Sequence, residues 1–292
     1  MQDHDKEKTL AAIQAYISKM PSLPITVSKI LQIANDPKTS PADLNHVISL
    51  DPVLMGRVMK LINSAYYSLN NQVTSLVRAI IMLGINTVKN LALSTAVLGQ
   101  LSSKKNFQAL NIDGFWRHSL CVGVAAKQIA IKRKRDPKRL EEYFVAGLLH
   151  DIGKIPLNNK LSTEYVTALS LTDKERLPLY VLEERTMDVN HCEVGKLIIK
   201  NWNLGAVMED VIFFHHFIDA YPGDNRDVLL TVAAANFFAN TFQIGFSGDR
   251  YPEKLALPVY EELGVTLDDL EAMESIVNGE IEKAKIFLSV VQ

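Results

Sequence analysis

The chain has 292 residues, of which 48% are apolar and 22% charged, and its formal net charge is −2. This length suffices for two lobes or one large domain with a substantial core, and the near-neutral charge disfavours proteins that bind nucleic acid or anionic membranes. No apolar run reaches the ~20 residues of a membrane span, no apolar signal segment follows the first methionine, and the two cysteines, Cys121 and Cys192, lie in helical patterns, so we expect a cytoplasmic protein without a disulfide.

Helical periodicity dominates the chain, and helix start signals recur along it. SPAD at 40–43 and DP at 51–52 each offer an N-cap followed by a proline. Thr266 with Asp269 forms a further capping pattern before a final amphipathic helix that ends near Phe287. No run of alternating apolar and polar residues between turn signals predicts a strand. The sequence therefore predicts an all-α fold.

Two helices and one polar segment predict how the chain is organised. The helix that begins at Pro52 places apolar side chains on one face, namely Val53, Leu54, Val58, Leu61 and Ile62. The helix at 85–98 is apolar on most faces, which predicts that it is buried between two parts of the protein. Polar SSKKN at 102–106 marks a boundary. We therefore predict a helical first lobe (residues 1–105) packed on a helical second lobe (residues 106–292).

Five of the seven histidines fall on successive helical segments of the second lobe. They are His118, His150, His191, His215 and His216. A single histidine on an apolar helix face is usually a hydrogen-bonded core residue, which is the simpler interpretation of His118 alone. For the adjacent pair at 215–216, the simpler interpretation is one buried ring and one exposed ring. Together, five imidazoles in series favour a metal site over five separate explanations.

The strongest local signal is the His150-Asp151 pair. An apolar helix delivers it to its C-terminal end, where Gly153 allows the chain to turn. Neighbouring side chains diverge by about 100° inside a helix, so two ligands of one ion are placed more easily at a helix end. An imidazole with a carboxylate suits divalent transition metals. Lys154 adds a positive charge that could stabilise a phosphate oxygen, and His191 opens a later helix.

These residues resemble known families. His118, then His150-Asp151 with Gly153 and Lys154, looks like the start of the HD phosphohydrolase pattern. His191 with the pair at 215–216 resembles the extended ligand set of the HD-GYP subfamily, the cyclic di-GMP phosphodiesterases, and AYPGD at 220–224 is similar to a degenerate form of its GYP loop. The first lobe resembles the HDOD family (HD-related output domain) in MPSLPITVSKILQIAND, ISLDPVLMGRVMKLINSAYY and VTSLVRAIIMLGINTVKNLAL, and this resemblance covers residues 20 to about 220.

The resemblance implies an HD-like second lobe with a defined set of metal ligands. The matching positions are His118, His150, Asp151, His191, His215 and His216. HD enzymes complete the site with a late aspartate, but here the matching position is Asn236, whose amide brings no negative charge and is a weaker ligand. Gly114 likewise offers no ligand where some HD-GYP proteins have a glutamate. A cluster of three metals is therefore disfavoured, which leaves one or two ions of iron, manganese, zinc or nickel, or none.

Two functions follow from this pattern, in different classes. The HDOD resemblance and Asn236 favour a non-catalytic output module of bacterial signalling, which acts through a partner protein or a second copy of the chain. The alternative is a metal-dependent phosphohydrolase acting on a nucleotide or cyclic dinucleotide, with Lys154 neutralising the charge that develops on phosphorus. A third class, nucleic-acid binding, depends on the basic stretch at 132–139 alone, which a solvated helix end explains more simply.

Overall fold

The computed structural model describes residues 2–34, 36–101 and 109–291, which form helices and no strand, so the all-α prediction is confirmed. The helices of the first lobe are α1 (Gln2–Ile17), α2 (Ile25–Ala34), α3 (Pro41–Ser49), α4 (Pro52–Ile62), α5 (Leu76–Leu83) and α6 (Ile85–Leu101). Those of the second lobe are α7 (Ile112–Lys132), α8 (Leu140–Leu149), α9 (Lys154–Lys160), α10 (Ser162–Glu175), α11 (Leu179–Met187), α12 (His191–Trp202), α13 (Ala206–Phe214), α14 (Arg226–Thr241), α15 (Leu257–Leu263), α16 (Leu267–Ala272), α17 (Glu274–Ala284) and α18 (Ile286–Ser289). Short 3-10 helices lie at Pro137–Arg139 and Ile218–Ala220.

The helix starts that the sequence predicts are made by side-chain caps. The Ser40 hydroxyl accepts from the backbone of Asp43, whose carboxylate in turn accepts from the backbone of Ser40. Asp51 caps α4 in the same way through the backbone N–H of Leu54. Each cap satisfies a backbone donor that has no partner inside its helix. These caps explain why α3 and α4 begin where they do.

Two details of the predicted helices were wrong. Val53 does not join the apolar face of α4, because it is 62% exposed whereas Leu54 and Val58 are buried. Adjacent helical positions differ by about 100°, and the face is centred on the residues spaced three and four apart. The helix predicted after Thr266 is also not continuous. It is divided into α16, α17 and α18, and at Met273 the backbone N–H bonds to the oxygen of Leu270, three residues back.

Helix α6 lies at the centre of the fold, as its apolar composition predicts. Most of its side chains are buried, and it packs on α2, α4 and α5 of the first lobe as well as on α8 and α18 of the second. Among the described residues, no single helix is long and apolar enough to cross a membrane, and α5 with α6, which together pass that test, are bent by 116°. The boundary predicted at 102–106 lies outside the described residues, so the division into lobes stays a prediction.

Contacts between the lobes also involve the first helix. Helix α1 packs on α9 and α12. Its Lys6 ammonium lies 2.8 Å from the Glu193 carboxylate at the start of α12. The Tyr16 hydroxyl accepts a hydrogen bond of 3.2 Å from the side-chain amide of Asn159 in α9. The N-terminal helix therefore contacts the part of the second lobe that carries His191.

Helices α7 and α8 pass each other with their backbones in contact. A Cβ atom added to Gly123 would lie 2.7 Å from the carbonyl oxygen of Phe144, and one added to Gly147 would lie 2.8 Å from that of Val122. Only glycine allows this approach. The contact fixes the distance between His118 on α7 and His150 at the end of α8.

The basic stretch at 132–139 begins at the last residue of α7, and four of its six cations pair with acids of the same molecule. Lys132 pairs with Asp269, and both Arg133 and Arg135 pair with Asp227. Arg139 pairs with Glu142. These ion pairs agree with the simpler interpretation of the stretch as a helix end, since a phosphate-binding surface would need the same cations.

Candidate metal centre

Four of the five second-lobe histidines converge on one carboxylate, that of Asp151. The Nε2 atoms of His150 and His118 lie 3.3 and 3.7 Å from Asp151 Oδ2. The Nε2 atoms of His191 and His215 lie 3.3 and 3.8 Å from Asp151 Oδ1. All five side chains are almost fully buried. The structure therefore brings these residues together, two imidazoles on each oxygen of the carboxylate.

Hydrogen bonds at the opposite ring nitrogens orient three of these imidazoles. His150 Nδ1 lies 2.7 Å from the carbonyl oxygen of Gly147, and His215 Nδ1 lies 3.0 Å from that of Ile212. His191 Nδ1 lies 2.6 Å from Glu183 Oε2. An Nδ1–H donor to these oxygens turns Nε2 toward Asp151, with a lone pair on Nε2 wherever the ring is neutral. Metal-binding histidines are usually held in this way.

Gly153 brings His191 to the His150-Asp151 pair. A Cβ atom added to Gly153 would lie 1.9 Å from the carbonyl oxygen of His191 and 2.5 Å from the backbone nitrogen of Gly195. The turn after α8 is therefore in direct backbone contact with the first two turns of α12. The N-cap of α12 is Asn190, which forms a capping box with Glu193 and fixes where His191 begins the helix.

The remaining two predicted ligands lie at the edge of the cluster. The His216 ring is 4.3 Å from the His215 ring and 5.2 Å from the His191 ring, and it stacks on Tyr180 at 4.7 Å. Asn236, in α14, is buried, and its side chain acts on the pKa of His118. Its Oδ1 also accepts a hydrogen bond of 2.9 Å from Asn240. Both residues are close enough to extend the set, His216 on the Oδ1 side and Asn236 on the Oδ2 side.

Lys154 occupies one side of the Asp151 carboxylate. Its ammonium donates to Asp151 Oδ2 at 2.8 Å and to the Ser247 hydroxyl at 3.2 Å, and the side chain is 2% exposed. Burial alone would lower the pKa of Lys154, but the carboxylates of Asp151, Glu183 and Asp249 outweigh it and raise that pKa. The lysine is therefore a buried cation.

The pKa values of two histidines in the cluster shift in opposite directions. Burial lowers the pKa of His118 to about 3, so this imidazole is neutral and its Nε2 can serve as a ligand. Burial would also lower the pKa of His191, but the Glu183 carboxylate outweighs it and raises that pKa to about 10. Burial disfavours a charged Asp151, yet the nearby His150 and Lys154 hold its pKa well below the usual range. The carboxylate is thus ionised inside the protein.

The donor set fits a divalent transition metal. His118 Nε2, His150 Nε2 and Asp151 Oδ1 are buried without a hydrogen-bond partner, although buried polar atoms rarely lack one. The potential ligand atoms form two groups, and within each group the atoms lie no more than 4.8 Å apart. One group is His118, His150 and Asp151, and the other is His191, Cys192, His215 and His216. Imidazole, carboxylate and thiolate are the ligands that such ions prefer.

Sequence reasoning missed four residues of the site. Glu183 orients His191, Ser247 accepts from Lys154, Asp249 is a buried carboxylate that acts on Lys154, and Cys192 lies beside His215 with Sγ 3.9 Å from Nδ1. Cys192 had a signal, its position directly after His191. The other three did not, because their elements meet the site only through the fold.

A loop after α14 closes the cluster on the α7 side. Gly245 adopts φ +77°, and a Cβ atom there would lie 2.2 Å from the backbone nitrogen of His118. The next residue, Phe246, donates its backbone N–H to the carbonyl oxygen of Gly114 at 2.9 Å. The loop therefore covers the place where the resemblance expects an extra ligand, and it brings Ser247 and Asp249 to Lys154.

A cavity of about 320 Å³ reaches the cluster from one side. Its lining includes His215, His216 and Asn236, aromatic rings from Tyr180, Phe217 and Phe237, and the charged residues Asp219, Glu253 and Lys254. The lining does not include His118, His150, Asp151 or Lys154. A molecule in the cavity therefore meets the His215–His216 edge.

The AYPGD segment at 220–224 anchors the chain after the histidine pair. The Tyr221 hydroxyl donates to Asp210 Oδ2 at 2.8 Å and accepts from the backbone N–H of Asn225 at 2.8 Å. Asn225 also donates from its side chain to Asp210. The segment thus links the start of α14 to α13, the helix that ends directly before His215.

A helical fold with four imidazoles around the aspartate of a His-Asp pair defines a protein of the HD type. The HDOD domain matches residues 20–218, more than half of the chain. The chain therefore belongs to the HDOD family.

Similar proteins agree with this family. An HDOD domain protein of unknown function from Geobacter sulfurreducens is 27% identical, covers 97% of both chains and superposes with a TM-score of 0.74. A Shewanella amazonensis protein, provisionally described as a phosphohydrolase, is 20% identical with a TM-score of 0.70 over 97% of this chain and 98% of its own; at that identity it shows the fold alone. An uncharacterised Treponema pallidum (strain Nichols) protein is 26% identical over 229 residues, 78% of this chain and 44% of that protein. The chain spans less than half the length of the curated relatives that it matches.

Proposed function

We propose that this protein is a bacterial signal-transduction output module whose HD-type pocket binds one divalent transition metal and does not hydrolyse phosphodiesters. The observation that carries the proposal is the position of Lys154, whose ammonium lies 2.8 Å from Asp151 Oδ2. A second ion would have to share the Asp151 carboxylate, because Asp151 is the only acid among the predicted ligands. Here the Lys154 ammonium already binds Asp151 Oδ2, the oxygen that the second ion would need.

The other ligands on the Oδ2 side also bring no negative charge to balance that of a divalent ion. They are the imidazoles of His118 and His150 and the amide of Asn236, none of which is an anion. A carboxylate at position 236 would supply the missing negative charge. The Oδ1 side is different, because Asp151 Oδ1 has no hydrogen-bond partner and faces His191 and His215. The single ion is therefore assigned to the Oδ1 side.

The cavity supports a non-catalytic role. Two carboxylates, Asp219 and Glu253, line it with one lysine, Lys254. A phosphodiester is an anion, and enzymes that act on it use clamps of positive charge. Lys154, the residue that the family resemblance would assign to this task, is buried against Asp151 and away from the cavity wall. The two carboxylates of the cavity would repel an anionic nucleotide.

The output is expected to pass to a protein partner or to a second copy of the chain. Large apolar side chains are exposed on the first lobe, namely Ile25, Leu50, Val53, Ile81 and Met82. Exposed apolar surface of this kind is typical of protein contacts when it is contiguous. Nucleic acid is disfavoured as a partner because four of the six cations at 132–139 are paired with acids of the same molecule.

Metal analysis together with a hydrolysis assay tests the proposal. We expect the purified chain, supplemented with manganese, to show no turnover of a generic phosphodiester or of cyclic di-GMP above the level of an Asp151→Ala variant. The same samples should contain about one equivalent of transition metal in the unsubstituted chain. Turnover that disappears in Asp151→Ala but persists in the exposed variant Glu271→Ala would overturn the non-catalytic role.

Restoring the missing acid tests the charge argument separately. Asn236→Asp is expected to tighten binding of zinc or manganese by at least ~10-fold, because the negative charge that it adds on the Oδ2 side of Asp151 attracts a divalent ion even at an effective dielectric constant of ~20. Calorimetric titration of metal-stripped protein measures the change. Asn240→Asp, one helical turn further along α14, is the matched control and should give a smaller gain. Equal affinities for Asn236→Asp and the unsubstituted chain would overturn the argument that the missing charge at position 236 weakens metal binding.

One observation favours the phosphohydrolase as the second candidate. His215, His216 and Asn236 form part of the cavity wall, so an ion held on the Oδ1 side could be reached by a small molecule. In that function the histidines and Asp151 would hold the metal, which would activate the attacking water. Lys154 would have to leave Asp151 to reach a phosphate oxygen.

A further inference from the structure

We infer that the metal site contains a sulfur ligand, the thiolate of Cys192, together with His191, His215 and His216. This inference rests on the proposed function, since it names the ligands of the ion on the Oδ1 side. The family resemblance supplies the three histidines and the aspartate but no cysteine. A sulfur ligand would make this pocket selective for softer ions, zinc above all, over manganese and magnesium.

The positions of the donor atoms carry the inference. His191 Nε2 and His215 Nε2 are 3.3 Å apart. Two nitrogen ligands of a tetrahedral zinc ion, each at ~2.0–2.1 Å from it, are separated by ~3.3–3.4 Å. Cys192 Sγ is 3.9 Å from His215 Nδ1, the nitrogen that also faces the carbonyl oxygen of Ile212, and one ligand atom from each of the four residues lies within 4.8 Å of the others. Turning the Cys192 side chain toward His215 Nε2 would bring its sulfur to the ion that the two Nε2 atoms share.

The surroundings of Cys192 agree with a ligand. The residue is fully buried and follows His191 in the first turn of α12, whose start is fixed by the Asn190 capping box. The unpartnered Asp151 Oδ1 lies 3.3 Å from His191 Nε2, so a negative charge faces the same point. Because metal ligation deprotonates a thiol, the ion itself supplies the reason for a thiolate in an apolar environment.

Hydrogen bonds at Nδ1 hold two of the histidine rings in place. The ring of His191 is held by Glu183, and that of His215 by the carbonyl oxygen of Ile212. Both bonds are at Nδ1, which leaves Nε2 for the ion. His216 reaches the group from the cavity side. The ion would therefore enter through the cavity and meet protein ligands on its other sides, which is the arrangement of structural zinc sites and not of catalytic ones.

Cobalt substitution of the full chain tests the inference. Metal-stripped protein is titrated with Co²⁺, and we expect a near-ultraviolet sulfur-to-cobalt charge-transfer band that saturates at one equivalent. The band should be absent in Cys192→Ser and present in Cys121→Ser, the matched control at the other buried cysteine. Zinc affinity of Cys192→Ser should fall by more than the ~10–100-fold that loss of a supporting hydrogen bond costs. Circular dichroism checks that each variant is folded.

X-ray absorption at the zinc edge keeps the test independent of folding of a variant. In the unsubstituted chain it should find one sulfur at ~2.3 Å with nitrogen or oxygen ligands at ~2.0–2.1 Å. A zinc site with nitrogen and oxygen ligands alone would overturn the sulfur ligand and leave the proposed metal pocket intact. The same conclusion would follow from a cobalt complex without the charge-transfer band. Absence of metal binding by the unsubstituted chain would overturn both.

Discussion

Gly153→Ala is expected to destabilise the protein by about 3 kcal/mol or more and to abolish zinc binding. The new Cβ atom would lie 1.9 Å from the carbonyl oxygen of His191 and 2.5 Å from the backbone nitrogen of Gly195. Overpacking a core typically costs ~1–3 kcal/mol when side chains can adjust, but both atoms here belong to the backbone of α12. The helix must move away, which separates His191 from Asp151. Urea unfolding and zinc titration measure the two effects.

Gly279→Ala is the matched control for this substitution. Nothing lies within 4 Å of the Cβ atom that it would add to α17. A glycine-to-alanine change inside a helix stabilises by ~0.5–1 kcal/mol, so this variant should be slightly more stable and bind zinc as before. If Gly153→Ala bound zinc with unchanged affinity, the contact between the His150-Asp151 turn and α12 would not be what positions His191.

The parts of the site that sequence could predict depend on local signals. The capping residues fix where α3, α4 and α12 begin, and these starts follow from side chains within three positions of the cap. The His150-Asp151 pair follows from an apolar helix and a glycine. The convergence of the other histidines was predicted from their number and from family resemblance, and the distances to Asp151 agree with it.

The parts that sequence could not predict depend on contacts between distant elements. Glu183 and Glu184 are adjacent acids on α11, and nothing local tells which one turns inward to His191. Asp249 and Ser247 reach Lys154 only because the loop after α14 folds back over α7. Acidic side chains are rarely buried without a partner, so sequence reasoning places them on the surface by default.

The structure gives Lys154 a partner other than the phosphate that the sequence suggests. By resemblance it contacts a phosphate, yet its ammonium bonds to Asp151, three residues back along the chain. Once both side chains are buried, the carboxylate is the nearest partner, and an unpaired buried charge would be costly. The balance between a substrate contact and an internal ion pair depends on burial, which sequence does not reveal.

Glu141→Ala is expected to destabilise the protein by about 3 kcal/mol. Its carboxylate is 3% exposed and lies 2.5 Å from the Lys127 ammonium, which also donates to the hydroxyl of Tyr66 at 3.0 Å and lies over the Tyr66 ring. Removing one partner of a buried ion pair costs ~3–5 kcal/mol because the other charge stays without compensation. Lys127 is 19% exposed, so we expect the lower end of that range. Chemical denaturation measures the loss.

The neighbouring acid is the control for this prediction. Glu142 pairs with Arg139 on the surface, where the arginine is 49% exposed, so Glu142→Ala should change stability by less than ~0.5 kcal/mol. Adding Lys127→Met to Glu141→Ala removes the uncompensated charge and should recover at least ~1 kcal/mol. Because Tyr66 lies in the predicted first lobe and Lys127 and Glu141 lie in the predicted second lobe, this cluster would join the two. Equal losses for Glu141→Ala and Glu142→Ala would mean that the ion pair contributes nothing to that junction.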